Sequence, residues 1–369
     1  ASTLHRLLGP IPDVPRFHHH ADHPLPYDIV VVDEASMVDL PLMCKLAEAV
    51  ADGAQLMLLG DADQLPSVEA GDVLAAILGA AGTGDALADD DACALQPLLG
   101  DPPPDAAADP AAGAGGLRGH RVHLRRGWRQ HAALDLAPLA QAVRAGDAEL
   151  ALQLLRGGTL SNVQFDEGVD DPLLADPGLL AHWRLLASLT DPVDALRQAS
   201  QLRLLTALRE GPQGARGLNA RIEAALSGRR IGSPPAWFPG RLLLVTRNSP
   251  RHGLFNGDVG ICLADADGTP LAWFPGEGSA GARSFHPATL PAHESAFAMT
   301  VHKAQGSEFD RVWLQLPRTD SRVLSRELVY TAITRARSGL HVAGSAEVIA
   351  AALGRHAGRV SGLGMHLAR

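Results

Sequence analysis

Cysteine is scarce in this 369-residue chain, and the three that occur are far apart. An odd, scattered set argues against both a disulfide framework and a thiolate zinc site. We therefore expect Cys44, Cys93 and Cys262 to be small buried apolar residues. No uncharged apolar run approaches the roughly 18 residues of a membrane helix, and the first 30 residues lack a basic start followed by a hydrophobic block. These absences predict a cytoplasmic protein with no membrane contact.

Aromatic side chains are also few, at 4% of the chain. Stacking on nucleic-acid bases therefore cannot be spread widely over the surface. Trp128, Phe255 and Tyr330 occur inside motifs described below. For each of them, packing in a core is the favoured interpretation over stacking on a base.

Positively charged residues are fewer than negatively charged ones, which gives a net charge of −9. By itself this disfavours a nucleic-acid partner. The distribution changes that view, since residues 80–116 hold seven Asp and no Lys, Arg or Glu, which leaves a net −2 for the rest of the chain. Residues 298–369 hold ten Lys or Arg against five Asp or Glu. That excess of positive charge is compatible with binding to a polyanion or simply with a solvated surface.

The apolar residues that are present, 46% of the chain, can bury real cores, and the length of 369 residues predicts two or three domains. The first clear unit is α/β. The β-branched run at residues 29–32 is typical of a buried parallel strand. Asp39 is the expected N-cap of a helix whose apolar residues repeat over residues 42–50, and residues 55–59 supply the next strand. This is a β-α-β pattern with short connections.

Two later stretches differ from this pattern. Residues 80–116, rich in Ala, Gly, Pro and Asp, are predicted to be a loop or disordered insertion. Hairpin-type turns at Asn256-Gly257 and Asp267-Gly268 predict a small β-rich insertion over residues 253–296. The α/β pattern returns at Phe297 and is expected to end with a helix near residues 325–337.

Polar side chains follow both strands of the first α/β unit. Asp33 and Glu34 end the first strand, and an Asp-Glu pair at that point suits nucleotide hydrolysis, with Asp holding Mg²⁺ and Glu accepting a proton from water. Asp61 and Gln64 follow the second strand, at the edge where open α/β sheets place ligands. The Gln64 amide is a natural sensor of a terminal phosphate.

The stretch DEAS (33–36) followed by GDADQLPSVEAG (60–71) resembles motifs II and III of superfamily 1 helicases. The similarity is strongest to the RecD-type family, the alpha subunits of exodeoxyribonuclease V. Further blocks occur in the family's order along the chain. They are TLHRLLG (3–9), HLRRGWRQ (123–130), LREGPQGARGLN (208–219), LFNGDVGI (254–261), MTVHKAQGSEFD (299–310) and ELVYTAITRAR (327–337).

This resemblance implies an α/β fold with two RecA-like (P-loop NTPase-type) parallel-sheet domains, the first incomplete, and a small SH3-like β-barrel inserted in the second. The implied boundaries are 1–130 for the partial first domain, 131–252 and 297–369 for the two parts of the second, and 253–296 for the barrel. The implied activity is that of an ATP-dependent 5′ to 3′ DNA helicase and exonuclease subunit in recombinational repair of double-strand breaks. The implied partners are single-stranded and duplex-end DNA and the beta and gamma subunits of exodeoxyribonuclease V.

The same resemblance assigns roles to individual residues, with ATP and Mg²⁺ as the expected cofactors. The catalytic set is Asp33, which also holds Mg²⁺, with Glu34, Gln64 and the two candidate arginine fingers Arg129 and Arg335. The nucleotide-binding set is Asp61, Gln305, Gly306 and Glu308, the last on the ribose. The DNA-binding set is Thr300, His302, Lys303 and the Gly-rich turn with Gly211 and Gly214, which a plain turn explains almost as well.

One motif of the family is missing, because the chain contains neither Gly-Lys-Ser nor Gly-Lys-Thr. Its two lysines, Lys45 and Lys303, do not follow a glycine. The family places its phosphate-binding loop upstream of the block at Thr3, so we expect an amino-terminally truncated helicase that hydrolyses ATP at no more than a trace rate. The alternatives are a relaxase-linked or Pif1-like superfamily 1 helicase, or a non-catalytic DNA-binding or assembly module.

A histidine cluster, formed by His18, His19, His20 and His23, suggests a metal at first sight. Its spacing matches no closed zinc pattern and no cysteine lies nearby. A flexible solvent loop is the favoured interpretation.

Overall fold

A computed structural model describes residues 2–11, 14–67, 69, 71–82, 89–100, 117, 120–124, 134–231, 237–276, 281–358 and 361–367. The chain divides into two compact units. The first comprises Ala1–Gly127 with Ala357–Arg369, and the second comprises Trp128–His356. The last 13 residues therefore belong to the first unit, whereas the sequence assigned them to the second domain.

The described elements of the first unit are α1 (Leu4–Leu8), β1 (Ile29–Val32), α2 (Leu40–Ala49), β2 (Gln55–Leu58), α3 (Val73–Ala81) and α4 (Asp89–Leu99). Those of the second unit are α5 (Ala137–Ala145), α6 (Ala148–Gly157), β3 (Val163–Glu167), α7 (Pro172–Ala175), α8 (Pro177–Leu186), α9 (Pro192–Ala199), β4 (Leu202–Thr206), α10 (Ala215–Ser227), β5 (Leu242–Val245), β6 (Val259–Ala264), β7 (Pro270–Pro275), β8 (Ala282–Phe285), β9 (His293–Ser295), β10 (Ala298–Thr300), β11 (Phe309–Gln315), α11 (Arg326–Ile333), β12 (Ala336–Gly344) and α12 (Ala346–Leu353). Helix α13 (Leu363–Leu367) then returns to the first unit.

The first unit is built on the predicted β-α-β pattern. Strands β1 and β2 pair in parallel, with Val32 opposite Leu58. Helix α2 joins them, and its N-cap is Asp39, whose side chain accepts a hydrogen bond from the amide of Leu42. One face of this two-stranded sheet packs into a core that includes Val30, Val32 and residues of α2 and α3.

The other face of this sheet is open, which corrects the expectation of a fully buried strand. Ile29 and Val31 on β1 and Met57 on β2 are about half exposed. Parallel strands are normally covered on both faces. The described residues leave about half of each of these side chains uncovered.

Residues 80–116 are not simply a loop. Helix α3 extends to Ala81, and α4 occupies Asp89–Leu99 inside the stretch predicted to be unstructured. Alanine and leucine supply enough helix propensity there to compete with the Asp-rich composition. Residues 83–88 and 101–116 lie outside the described part of the chain.

The second unit contains a five-stranded parallel sheet in the order β10-β4-β11-β12-β3. The parallel α/β fold class is thus confirmed. The helix predicted near residues 325–337 ends at Ile333, and Ala336 begins β12, the next-to-edge strand. The chain therefore does not finish with that helix but continues through β12, α12 and α13.

A separate antiparallel sheet, in the order β8-β7-β6-β5-β9, occupies the middle of the second unit. Its core includes Leu243, Val245, Leu254 and Phe274. The β-rich insertion predicted over 253–296 is present, but its first strand starts at Leu242. The SH3-like description of this sheet stays a prediction.

The remaining expectations from composition have mixed outcomes. Cys262 is buried, as predicted, but Cys44 and Cys93 are exposed, so the prediction was wrong for those two. None of the helices in the described ranges is long and apolar enough to cross a membrane. In the same ranges, no group of three or more His, Cys, Asp or Glu side chains is placed to hold a metal ion. In the histidine cluster at residues 18–23, the rings of His19 and His23 stack with centroids 5.0 Å apart.

Candidate functional site

The carboxyl ends of β1 and β2 bring the predicted catalytic groups of the first unit together. The amide of Leu59 donates to the carbonyl of Val32, and the amide of Ala35 donates to the carbonyl of Leu59, both at 2.8 Å. Asp33 and Glu34 therefore lie beside the Gly60–Asp61 step. The sheet register alone produces this convergence.

Backbone geometry fixes the direction of each acid. Glu34 adopts a left-handed conformation with φ of 53°, which turns the chain sharply from the strand into a short 3-10 helix over Ala35–Met37. A non-glycine residue in this region is uncommon and clusters at functional sites. The amide of Glu34 donates to Asp33 Oδ1 at 2.9 Å, which orients the exposed Asp33 carboxylate.

Gln64 is held in place rather than mobile. Its side-chain amide donates to Asp61 Oδ2 at 3.2 Å, its backbone amide donates to the Asp61 carbonyl, and it is 7% exposed. Asp61 also accepts from the amide of Asp63 at 3.0 Å. Asp61 thus organises the turn that carries Gln64.

The donor set of this site suits a phosphate-bound magnesium ion. Asp33 offers exposed carboxylate oxygen, the hard ligand that Mg²⁺ prefers. Ser36, two residues after Glu34, is 5% exposed, and its Oγ has no hydrogen-bond partner among the described residues. A buried hydroxyl without a partner carries a desolvation cost that a ligand could offset. The residues present therefore fit the expected nucleotide and ion.

In the second unit, the predicted motif V residues follow β10 as a short 3-10 helix over Val301–Ala304. Thr300, His302, Lys303 and Gln305 are partly exposed, while Val301 and Ala304 anchor the turn in the core. Gly306 has φ of +74° and open space around it. This segment is thus a surface loop that two buried apolar side chains hold against the core.

Arg335 lies beyond the end of α11 and is 1% exposed. Its Nε donates to the carbonyl of Thr331 at 3.3 Å and its Nη1 donates to the carbonyl of Ser307 at 3.4 Å. The guanidinium therefore ties motif VI to motif V. Its predicted contact with a γ-phosphate stays a prediction, and it requires that this buried group be uncovered.

Glu308 has a partner that sequence reasoning missed. Its Oε2 accepts from Arg337 Nε at 2.8 Å. Arg337 is the last residue of the ELVYTAITRAR block, two positions after Arg335. The position of Arg337 in this block, two residues after Arg335, was the sequence signal that could have identified it.

In the Gly-rich turn before α10, Gly214 is packed too tightly to carry a side chain. A Cβ on Gly214 would lie 2.2 Å from the carbonyl oxygen of Glu210. The amide of Gly214 already donates to the carbonyl of Gly211 at 3.1 Å, so it is engaged within the turn. The steric requirement favours the plain-turn interpretation of Gly214, whereas a phosphate contact at Gly211 stays a prediction.

Two buried polar residues anchor the strand that leads into motif V. The side chain of Asn219 donates to the carbonyls of Ser295 and Ala298 at 2.9 and 2.8 Å and accepts from the amide of Ala298 at 2.8 Å. Arg203 is fully buried, donates to the carbonyl of Ala296, and lies 4.9 Å from the Phe309 ring centroid. Burial lowers the pKa of Arg203 to about 10. Asn219 ends a quoted block, so the sequence did signal it.

Other predicted residues are less informative. Arg129 and Trp128 lie outside the described residues. Phe255 is 38% exposed, so core packing is not its role, while Tyr330 is partly buried on α11. Predicted groups thus assemble within each unit, at the ends of β1 and β2 and around residues 300–308.

Comparison with known proteins agrees with these blocks. Residues 1–70 match a family model described as an AAA domain, and residues 295–343 match the UvrD-like helicase C-terminal domain. The RecBCD enzyme subunit RecD of Mycobacterium tuberculosis is 40% identical over 372 residues, covering 100% of this chain and 58% of that protein. Along its whole length, the chain is similar to RecD-type superfamily 1 helicases.

Other members of the family align over similar lengths. RecBCD enzyme subunit RecD of Haemophilus influenzae is 32% identical over 391 residues, which cover 99% of this chain and 58% of that protein. The ATP-dependent RecD2 DNA helicase of Deinococcus radiodurans is 33% identical over 366 residues, with 97% and 42% covered. The chain thus spans less than two thirds of these relatives.

A crystal structure of Bacteroides Pif1 bound to ssDNA aligns with 93% of this chain and 78% of its own, at 16% identity and a TM-score of 0.45. That similarity is too low to bear on the choice between RecD-type and Pif1-like helicases. Sequence identity to the RecD relatives decides it, and the Pif1-like alternative is less supported.

Proposed function

We propose that this chain provides the carboxyl-terminal motor portion of an ATP-dependent 5′ to 3′ DNA helicase, the alpha subunit of exodeoxyribonuclease V. The observation that carries the proposal is the 40% identity to a RecD subunit along the whole chain. The convergence of Asp33, Glu34 and Gln64 at neighbouring strand ends supports it, because that edge suits a phosphate.

The proposed roles follow from the chemistry of each group. Asp33 would hold Mg²⁺, and the ion would neutralise phosphate charge. Glu34 accepts a proton from the attacking water, and Gln64 reports the presence of the terminal phosphate. Arg335 and Arg129 stabilise negative charge on the transferring phosphoryl group.

The proposed partners are single-stranded and duplex-end DNA and the beta and gamma subunits of exodeoxyribonuclease V, with repair of double-strand breaks in the cytoplasm as the setting. Assembly and exonuclease activity are proposed from the names of the RecD relatives, which are subunits of the RecBCD enzyme. Co-purification of tagged chain with both subunits, expressed from the same genome, tests the assembly. Recovery of the chain alone would contradict it.

DNA binding tests the proposal at the level of this chain. We expect a fluorescent single-stranded oligo(dT) to bind in an anisotropy titration, with an affinity that falls as salt rises because phosphate contacts release counterions. Lys303→Met should weaken binding, whereas Lys45→Met on α2 should not. Absence of binding at low salt would reject the DNA-binding function.

A non-catalytic DNA-binding or assembly module is the alternative that an ATPase assay can exclude. DNA-stimulated ATP turnover that is lost on Glu34→Gln would exclude the module.

A further inference from the structure

An ion cluster in the second unit joins the two segments predicted to contact DNA. Glu294 on β9 accepts from Lys303 Nζ through Oε1, and its Oε2 lies 3.9 Å from Arg209 Nη2. Lys303 belongs to the motif V turn and Arg209 to the LREGPQG turn. Sequence reasoning named both turns but not the carboxylate between them.

The position of Glu294 is set by backbone structure. It lies on β9, which pairs with β5 and places Glu294 opposite Leu244. The next residue, Ser295, is fixed by Asn219, whose side chain donates to its carbonyl at 2.9 Å. The inserted antiparallel sheet therefore delivers one carboxylate to the base of the candidate DNA-contacting loop.

The cluster carries one negative and two positive charges. Its side chains remain accessible, with Glu294 27%, Lys303 31% and Arg209 55% exposed. Ion pairs of such accessibility contribute little to folding. A phosphate oxygen makes charge-assisted hydrogen bonds to Lys and Arg as a carboxylate does. A phosphate can thus replace the Glu294 carboxylate as the partner of Lys303 and Arg209 without loss of the fold.

We propose that Glu294 is an exchangeable counterion that occupies Lys303 and Arg209 until a phosphate of single-stranded DNA displaces it. The inference rests on the proposed DNA binding. Before exchange, the carboxylate offsets one of the two positive charges and occupies both cations, which makes them less available to other anions. After exchange, the Glu294 carboxylate faces the phosphate and opposes tight retention, which suits a protein that must release and rebind a strand.

The first test compares the affinity for oligo(dT) of the unchanged chain, of Glu294→Gln and of Glu167→Gln. Glu167 on β3 is a matched control because it pairs with Arg156 on α6 and its substitution changes the net charge by the same amount. We expect Glu294→Gln to bind about two- to five-fold more tightly at low salt, the size of a surface ion pair. The gain should disappear at high salt, where exposed charges are screened.

A double-mutant cycle shows whether the effect passes through the named cations. In the Arg209→Met, Lys303→Met background, Glu294→Gln should no longer change affinity. A gain that persists there would mean that Glu294 acts by general repulsion of DNA, which would overturn the proposal. Circular dichroism of Glu294→Gln confirms that the fold is retained.

The amine of Lys303 gives a readout independent of DNA. The chain has only two lysines, and Lys45, paired with Glu48 at 2.8 Å, serves as the internal reference. Acetylation followed by mass spectrometry should modify Lys303 faster, relative to Lys45, in Glu294→Gln than in the unchanged chain. Equal rates would contradict the ion pair.

The outcomes separate this inference from the proposed function. Equal oligo(dT) affinities of the unchanged chain and Glu294→Gln would overturn the counterion and leave DNA binding intact. Weaker binding by Glu294→Gln would make Glu294 a support for Lys303 and also overturn the proposal. Binding by neither protein would reject both statements, whereas binding by Glu294→Gln alone would support the counterion directly.

Discussion

Gly60 is the residue at which the candidate phosphate site is most tightly constrained. A Cβ there would lie 2.7 Å from Leu74 Cδ2 and 3.1 Å from the amide nitrogens of Ala35 and Ser36. The turn that carries Glu34 and the turn that carries Gln64 can approach each other only because this position has no side chain. The sequence places a glycine there, but no local sequence pattern predicts that the two turns meet at this position.

Gly60→Ala should therefore destabilise the first unit by about 1–3 kcal/mol, through overpacking against backbone that cannot move freely. Chemical denaturation measures the change. Gly79→Ala is the matched control, since Gly79 lies in α3 with nothing within 4 Å of a built Cβ. It should stabilise by about 0.5–1 kcal/mol, because alanine restricts the unfolded chain. Equal effects of both changes would contradict the steric argument.

Two histidines in the second unit should make its stability depend on pH. Burial lowers the pKa of His341, although its Nε2 lies 2.8 Å from Asp166, which opposes the shift. Burial, assisted by Arg311, also lowers the pKa of His182. A folded-state pKa below the unfolded value means that the unfolded chain binds protons more readily. The neutral form is thus the one that the fold favours.

The free energy of unfolding of the second unit should be highest above the unfolded pKa of about 6.5 and should fall as the pH drops through the lower folded values. Urea titrations between pH 8 and pH 5 measure this dependence. His341→Gln and His182→Gln should each flatten it. His366→Gln, at an exposed position on α13, should leave it unchanged. A slope that survives both core substitutions would show that other groups are responsible.

At the scale of elements, strand β1 shows which features a sequence predicts and which it does not. Four β-branched residues predicted a parallel strand, and the structure confirms its type, bounds and pairing. The same run predicted a buried strand, yet Val31 is 55% exposed and Val32 only 4%. Burial of a strand depends on which elements cover it, and hydrophobicity in one segment cannot specify those.

Val32→Ala should cost roughly 1–3 kcal/mol, since it removes buried methyl groups and leaves a cavity. Val31→Ala should stay within about 0.5 kcal/mol, because its side chain already contacts solvent. Denaturant titration of both variants compares them directly. Similar losses would indicate that the exposed face of the sheet is covered in solution.

At the scale of the whole molecule, the first unit is discontinuous in sequence. Its final helix, α13, follows the entire second unit and packs on α3, with Leu363 against the core formed by β1, α2 and α3. Ser361 contacts the position of Gly71, at the end of the motif III block. The carboxyl terminus therefore supports the element that follows motif III.

Leu363→Ser should destabilise the first unit by about 0.5–3 kcal/mol, as expected for loss of a packed apolar side chain. Hydrogen exchange should show reduced protection in α3 and the strands below it, and unchanged protection in β4, β11 and β12. Met365→Ser is the control, since Met365 is 71% exposed. Uniform loss of protection across both units would contradict an effect local to the first.

The sequence by itself determined the family, the order of the motifs and the type of most strands and helices, because strand periodicity, capping residues and ordered motif blocks are local signals. It also named Asp33, Glu34, Asp61 and Gln64, since groups that end neighbouring parallel strands must meet. Only the tertiary structure decided that Arg335 is buried against Ser307, that Glu294 joins Lys303 to Arg209, and that α13 returns to the first unit. Each of these contacts joins residues whose distance is set by packing of other elements, and no local pattern encodes that distance.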